Sequence, residues 1–314
     1  MEGTPSNARI LLRDLDLHPH KGLGQNFLID RHVLSKLISA AEVSSDDIVL
    51  EIGAGLGILT QALAEHARQV VAVEIDPRLT SFLQAELAQC SNVEIVQGDI
   101  LRLELAKLVP ARPGHSPFKV VANIPYYITS AVLRYLLEAE PRPSLIVLMV
   151  QHQVAHRLTA QPGDMSLLSV SVQFYGRPRL VSRVSAEAFY PRPKVDSQII
   201  RLEPHQQLPL PKDAVGPFFQ LVRAGFAQKR KQLHNTLVRG LCLPAPQIVQ
   251  LLRTAGIDET RRAETLSLDE WLGLYRTLAA QGWDPRAKAD ATPRPIRPDS
   301  PPQEKLLPPP DDPA

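Results

Sequence analysis

The chain has 314 residues, 44% of them hydrophobic and 22% charged, with a formal net charge of +2 at pH 7. That length predicts about two domains with a sizeable core, and so small a charge implies no polyanionic partner by itself. No apolar run approaches the roughly 20 residues that span a bilayer, and Cys90 and Cys242 stand far apart without metal-ligand spacing, so a cytoplasmic protein with no membrane partner and no metal is expected.

In chain order, residues 1–16 read as a flexible arm. From residue 48, β-branched runs alternate with helical patterns. Strands are expected at 48–52, 70–75, 93–96, 118–122 and 145–150, with helices such as 59–67 and 79–88 between them. This order predicts a doubly wound parallel sheet with helices on both faces. The stretches 166–174, 180–184 and 196–202 alternate more clearly and are expected to be strands completing one sheet edge. A proline-rich stretch at 204–211 reads as a linker, and a small all-α domain is expected over 212–283. Ten of the 29 prolines follow Asp284, so 284–314 is expected to be a disordered tail.

Glu51-Ile52-Gly53-Ala54-Gly55-Leu56-Gly57 closes the first of these strands and opens a helix. Glycines there let a backbone turn sharply and approach a ligand. The spacing is GxGxG, because Ile58 occupies the third position of the nicotinamide GxGxxG fingerprint. Glu74, 17 residues past Gly57, ends the second strand, where a carboxylate can accept ribose hydroxyls. Asp99 ends the third, beside an expected adenine amine. Each has a plainer reading: Glu74 as a solvated strand-end charge, Asp99 as a helix N-cap. Their occurrence at successive strand ends points to one crevice, with S-adenosylmethionine as the cofactor.

Asn123-Ile124-Pro125-Tyr126 follows the fourth strand. An exocyclic amine is a poor nucleophile because its lone pair is delocalised into the ring. An Asn oxygen and a neighbouring carbonyl can accept its two N–H bonds and favour a more tetrahedral nitrogen. Proline fixes the local φ, and tyrosine offers a face for a base. A tight turn is the plainer alternative.

Gly24-Gln25-Asn26-Phe27-Leu28, the Glu51 to Gly57 loop, Asn123-Ile124-Pro125-Tyr126 and Phe189-Tyr190-Pro191-Arg192-Pro193-Lys194-Val195-Asp196-Ser197 form an ordered series. It resembles the rRNA adenine N6-dimethyltransferases over roughly residues 17–282, most closely the small-subunit enzymes of the kasugamycin-sensitivity type. The resemblance implies an α/β, Rossmann-like class I S-adenosylmethionine-dependent methyltransferase domain over 17–205, with a helical RNA-binding domain over 212–283. It further implies dimethylation of two adjacent adenosines near the 3′ end of 16S rRNA in an immature small subunit.

By position, Gln25, Asn26 and Leu28 would close over the donor, Gly53 and Gly55 would approach it, and Glu74 and Asp99 would hold its ribose and adenine. Asn123 would lie where donor and acceptor meet and hold the target amine, between aromatic faces supplied by Tyr126 and Phe189. A core aromatic is the plainer reading of Phe189. One departure is Gln151-His152-Gln153-Val154-Ala155-His156-Arg157, where the family often carries Lys and Glu. Its two histidines lack a third ligand, so a solvated or RNA-facing helix is expected. The 111–117 loop reads as a lineage-specific insertion.

Arg223, Lys229, Arg230 and Lys231 gather near His234 and Arg239, and are assigned to RNA phosphates, with a solvated basic face as the alternative. Lys194, Arg192, Arg177 and Arg179 extend this surface. The competing functions are the large-subunit (23S) rRNA enzyme of macrolide-resistance type, a non-catalytic RNA-binding assembly factor and, more remotely, a DNA adenine methyltransferase. A monomer is the default expectation.

Overall fold

The structure, a computed structural model, describes Ile10, Leu12, Arg13, Pro19 and residues 21–109 and 118–283. The expected tail over 284–314 and the 111–117 loop lie outside the described residues, as does the 1–16 arm apart from Ile10, Leu12 and Arg13.

A two-residue strand, β1 (Phe27–Leu28), leads into helix α1 (Arg31–Ala41), whose first turn is capped by the Asp30 carboxylate accepting from the His32 and Val33 N–H groups. Strand β2 (Ile48–Ile52), helix α2 (Ile58–Ala64), β3 (Gln69–Glu74), α3 (Pro77–Glu86) and β4 (Val93–Gln97) form one wing. The short α4 (Leu105–Leu108) precedes β5 (Lys119–Asn123), α5 (Thr129–Glu138) and β6 (Leu145–Gln151). The chain continues through α6 (His152–Leu158), α7 (Leu167–Tyr175), β7 (Gly176–Val184), β8 (Phe189–Tyr190) and β9 (Ser197–Pro204).

Seven strands make one sheet in the order β4-β3-β2-β5-β6-β9-β7, parallel through β6 and antiparallel at β9 and β7. Each strand's alternation assigns its residues to two apolar layers. Leu50, Val71, Val120, Ile146 and Leu148 enter one, and Val49, Val70, Val121, Val147 and Met149 the other. Helices therefore cover both faces, and the chain winds outward in both directions from β2 and β5. A ligand crevice is expected at this switch point, beyond the strands' carboxyl ends.

One expected strand is a helix. Residues 167–175 form α7, started by a reciprocal cap in which Ser166 Oγ accepts from the Ser169 N–H and Ser169 Oγ accepts from the Ser166 N–H. Its Val170, Val172 and Phe174 are all buried in the larger core, so burial on several sides imitated the alternation of a strand. The other two edge stretches are strands, β7 reaching back to Gly176.

The carboxyl-terminal part consists of α8 (Lys212–Phe226), α9 (Leu233–Leu241), α10 (Ala245–Thr254) and α11 (Leu268–Ala280). It joins the sheet through a shared apolar core: Phe174 stacks on Phe218 with ring centroids 5.1 Å apart, and Trp271 and Leu237 share the apolar cluster of Leu50 and Val120. A side chain at Gly225 would come within 2.3 Å of the Trp271 ring, so glycine is what lets α8 meet α11 this closely. Among the described residues no helix is long and apolar enough to cross a membrane.

Candidate active site

A cavity of about 350 Å³ opens at the carboxyl ends of β2 to β5, within the size range of small-molecule sites. Its walls come from the 23–28 segment, the loop after β2, the ends of β3 and β4, and the loop after β5. Gln25, Asn26, Leu28, Gly53, Gly55, Glu74, Asp99, Asn123 and Tyr126 all line it. Phe189 does not: it is 3% exposed, pairs with Leu28 across β1–β8 and belongs to the core.

The glycine loop is held by the carboxylate it adjoins. Gly55 has φ +59°, in the left-handed region that favours glycine, and a Cβ there would press the Phe27 ring at 3.2 Å. Its N–H donates to Glu74 Oε2 at 2.9 Å, while Glu74 Oε1 accepts from Ile75 and Asp76, each at 2.9 Å. Three of the carboxylate's roughly four acceptor sites are thus engaged, leaving about one open to a ligand donor. Burial pushes the Glu74 carboxyl above its ordinary pKa despite these bonds. Asp99 lines the cavity, and its Oδ1 accepts from the Leu101 N–H at 3.0 Å, capping a turn rather than the helix expected from Ile100, because the next helix begins only at Leu105.

The 23–28 segment ties the two sides of the cavity together. Gln25 Nε2 donates to Asp76 Oδ2 at 3.2 Å. Asp76 is held down to about 2 by the Arg78 guanidinium above all, against its burial, with Gln25 assisting. The Asn26 side chain turns back to the Gly24 carbonyl at 3.0 Å, and its own carbonyl accepts from Asn123 Nδ2 at 3.2 Å. With its nitrogen so engaged, Asn123 presents Oδ1 as the remaining acceptor. In the next turn, Tyr126 OH and Ser197 Oγ are 2.6 Å apart, fixing the ring with a residue from the Phe189-to-Ser197 string. The Pro125 carbonyl accepts from the Ile128 N–H at 3.2 Å and closes the turn.

Three residues gained no role from sequence alone. Glu51 lies in the cavity wall at 1% exposure, and its Oε2 has no hydrogen-bond partner among the described residues. Burial, with the Glu74 charge adding to it, pushes its carboxyl up to about 8. The signal was a carboxylate inside an otherwise apolar strand, Ile48-Val49-Leu50-Glu51-Ile52. Ser197 carried no sign that it would meet Tyr126. Tyr127 lines the cavity and is 64% exposed; only its adjacency to Tyr126 marked it.

An apolar cavity with two buried carboxylates and an orphaned oxygen suits a ligand carrying a nucleoside and positive charge. S-adenosylmethionine has both. A family model described as ribosomal RNA adenine dimethylase matches residues 17–280. The chain belongs to that family. It is an S-adenosylmethionine-dependent rRNA adenine dimethyltransferase of the class I fold.

The chain is 46% identical over 272 residues to the ribosomal RNA small subunit methyltransferase A of Dehalococcoides mccartyi, covering 86% of this chain and 92% of the relative. The protein of that name from Moorella thermoacetica is 43% identical, with 88% and 98% covered. Among solved structures, a dimethyladenosine transferase from Plasmodium falciparum has TM-score 0.70 at 28% identity, over 82% of this chain and 98% of that one. The 23S rRNA methyltransferase ErmE has TM-score 0.66 at 33% identity, over 81% and 100%.

The RNA-directed expectations fall elsewhere. Arg223 is exposed in the last turn of α8, and Lys229, Arg230 and Lys231 are exposed in the connection to α9. Val222, Leu233 and Leu237 are buried beneath them, so the charges stand on a packed base. His152 and His156 lie on α6 with ring centroids 4.4 Å apart; among the described residues no group of three or more His, Cys, Asp or Glu could hold a metal ion.

Proposed function

We propose that the enzyme dimethylates N6 of two adjacent adenosines in the 3′-terminal hairpin of 16S rRNA, acting as a cytoplasmic monomer on an immature small subunit. The observation that carries this reading is the Asn123 amide, held by the Asn26 carbonyl at 3.2 Å in the wall of the cavity that the glycine loop also lines. The names of the curated relatives support the small-subunit substrate.

When bound, S-adenosylmethionine supplies the activated methyl. The protein's own groups orient the acceptor. The target adenosine leaves its stack, at a cost of a few kcal/mol, and enters against Tyr126, whose ring Ser197 holds. Asn123 Oδ1 accepts one N–H of N6, drawing the nitrogen towards a more tetrahedral form with its lone pair facing the donor side. Positioning supplies most of the acceleration, so no strongly basic side chain is needed. Gly53, Gly55, Glu74 and Asp99 form the donor side, with Gln25, Asn26 and Leu28 closing it. Phe189, buried behind Leu28's strand, supports that closure and reaches a base only if β8 shifts. Arg223, Lys229, Arg230 and Lys231 contact phosphates. The domain limits follow: catalysis in 17–205, RNA engagement in 212–283.

The deciding experiment offers purified enzyme immature small subunits and, separately, naked 23S rRNA, and maps dimethyladenosine in each. Modification of two neighbouring adenosines near the 16S 3′ end is expected. Modification of 23S rRNA alone would assign the enzyme to the large subunit, a reading that the ErmE likeness keeps in play. No modification of either, with the donor bound, would overturn both substrate assignments.

A further inference from the structure

Among the described residues, seven large apolar side chains are exposed, and Tyr127 at 64% is the only aromatic among them. It stands at the mouth of the catalytic cavity, next to Tyr126 in the turn Tyr126–Ile128. The two tyrosines differ in setting. Tyr126 is half-buried with its hydroxyl engaged by Ser197, so its ring belongs to the cavity wall. The Tyr127 ring instead lies over Gly24, where a built Cβ would sit 3.4 Å from two ring carbons and 3.5 Å from Pro125. One part of the ring is thus braced against the closing segment, and the rest is open to solvent.

Extruding one adenosine leaves the nucleotide beside it without a stacking neighbour. The strand must pass the cavity mouth, because the backbone of an extruded base remains attached to the base next to it. A braced, solvent-facing aromatic ring at that mouth can replace the lost stack. Phosphate would be a poorer match for it: the ring is uncharged, and the basic residues assigned to phosphate lie on α8 and the α8–α9 connection.

We propose that Tyr127 is the stacking platform for the purine adjacent to the target adenosine, and so helps select a substrate with two neighbouring adenosines. This rests on the proposed substrate. The platform is distinct from the target-base site, and it acts on acceptor recognition rather than on donor binding.

The test uses the whole enzyme and immature small subunits reconstituted with 16S rRNA in which one of the two adenosines is abasic, each in turn. Three forms are compared: wild type, Tyr127→Phe, and Tyr127→Leu, which keeps bulk over Gly24 but has no aromatic face. On intact RNA, Tyr127→Leu should lose about tenfold in kcat/KM, in line with one base–aromatic stack, with Tyr127→Phe close to wild type and donor Kd unchanged. On the abasic RNA that lacks the stacked neighbour, wild type should fall by a similar factor and Tyr127→Leu no further. An equal loss by Tyr127→Leu on intact and on both abasic RNAs, or no loss on intact RNA, overturns the platform alone. Failure of wild type to modify the intact small subunit overturns the substrate reading first, and the platform with it.

Discussion

The two ends of the β2–β5 strand pair handle buried charge in opposite ways. At the amino end, Asp47 Oδ2 accepts from Lys119 Nζ at 2.9 Å, from the Ser44 N–H at 2.7 Å and from Ser44 Oγ at 2.9 Å, and Lys119 also reaches the Glu42 carbonyl. Burial opposes ionisation of Asp47, yet these bonds outweigh it and its pKa lies below the usual value. At the carboxyl end, Glu51 and Glu74 share a cavity wall, neither is paired with a cation among the described residues, and both carboxyls are pushed upward. One end is internally satisfied and favours the folded state. The other keeps acceptor capacity for a ligand, which disfavours the empty protein at the pH where those groups ionise.

The largest expected effect breaks the functional end. Asn123→Ala should lower methyl transfer about 1000-fold while leaving donor affinity within about threefold, as read by turnover and equilibrium binding of radiolabelled donor. Near-normal turnover would remove Asn123 from the mechanism.

Lys119→Met tests the satisfied end. It leaves the nearly buried Asp47 carboxylate without its cation and should cost about 3 kcal/mol at pH 7 in urea denaturation. The sign in acid follows from the lowered pKa: Asp47 stabilises the fold above its unfolded value of 3.8 and that contribution is lost as pH falls through the lower folded value. Lys119→Met should therefore lose less stability than wild type as pH is taken below about 4.

Glu51→Gln should act in the opposite direction. The folded carboxyl sits near 8 against an ordinary 4.5, so the folded state binds more protons and the wild type loses stability as pH rises from about 4.5 to 8. The variant avoids that loss. Its Tm should exceed wild type by about 5 °C at pH 8, with the difference vanishing near pH 5. No pH dependence of the difference would mean that Glu51 is already paired.

Much of the cavity end was legible in the sequence, the Asp47–Lys119 end was not, and particular residues show where legibility stopped. The strands of the sheet announced themselves because parallel strands buried on both faces read as β-branched runs, as in Val70-Val71-Ala72-Val73. The Asn123 loop, Gly53, Gly55, Glu74 and Asp99 were legible because each lies at or just past a strand's carboxyl end, and those ends share a crevice in this architecture. Helix α7 was not, because its cap uses Ser169 at the third helical position rather than Glu or Gln. Phe189 shows a second limit: a motif gives a residue's neighbourhood, while its 3% exposure depends on β8 pairing with β1. Pairings between distant segments, such as Asn26 with Asn123 and Tyr126 with Ser197, leave no periodicity to read.

The smallest effect sharpens the comparison at the RNA surface. Replacing Lys229, Arg230 and Lys231 together with Ala should weaken RNA binding about tenfold at moderate salt and reduce the slope of log K against log salt by about 2. An unchanged slope would place the phosphate contacts elsewhere.

The central claim is that the Asn123 loop and the donor cleft form one continuous site. A bisubstrate compound joining adenosine N6 through a short linker to the sulfur position of the donor measures this directly. Wild type should bind it at least about 100-fold more tightly than the donor alone, and Asn123→Ala should forfeit most of that gain. Equal affinity of wild type for the compound and for the donor would contradict the account.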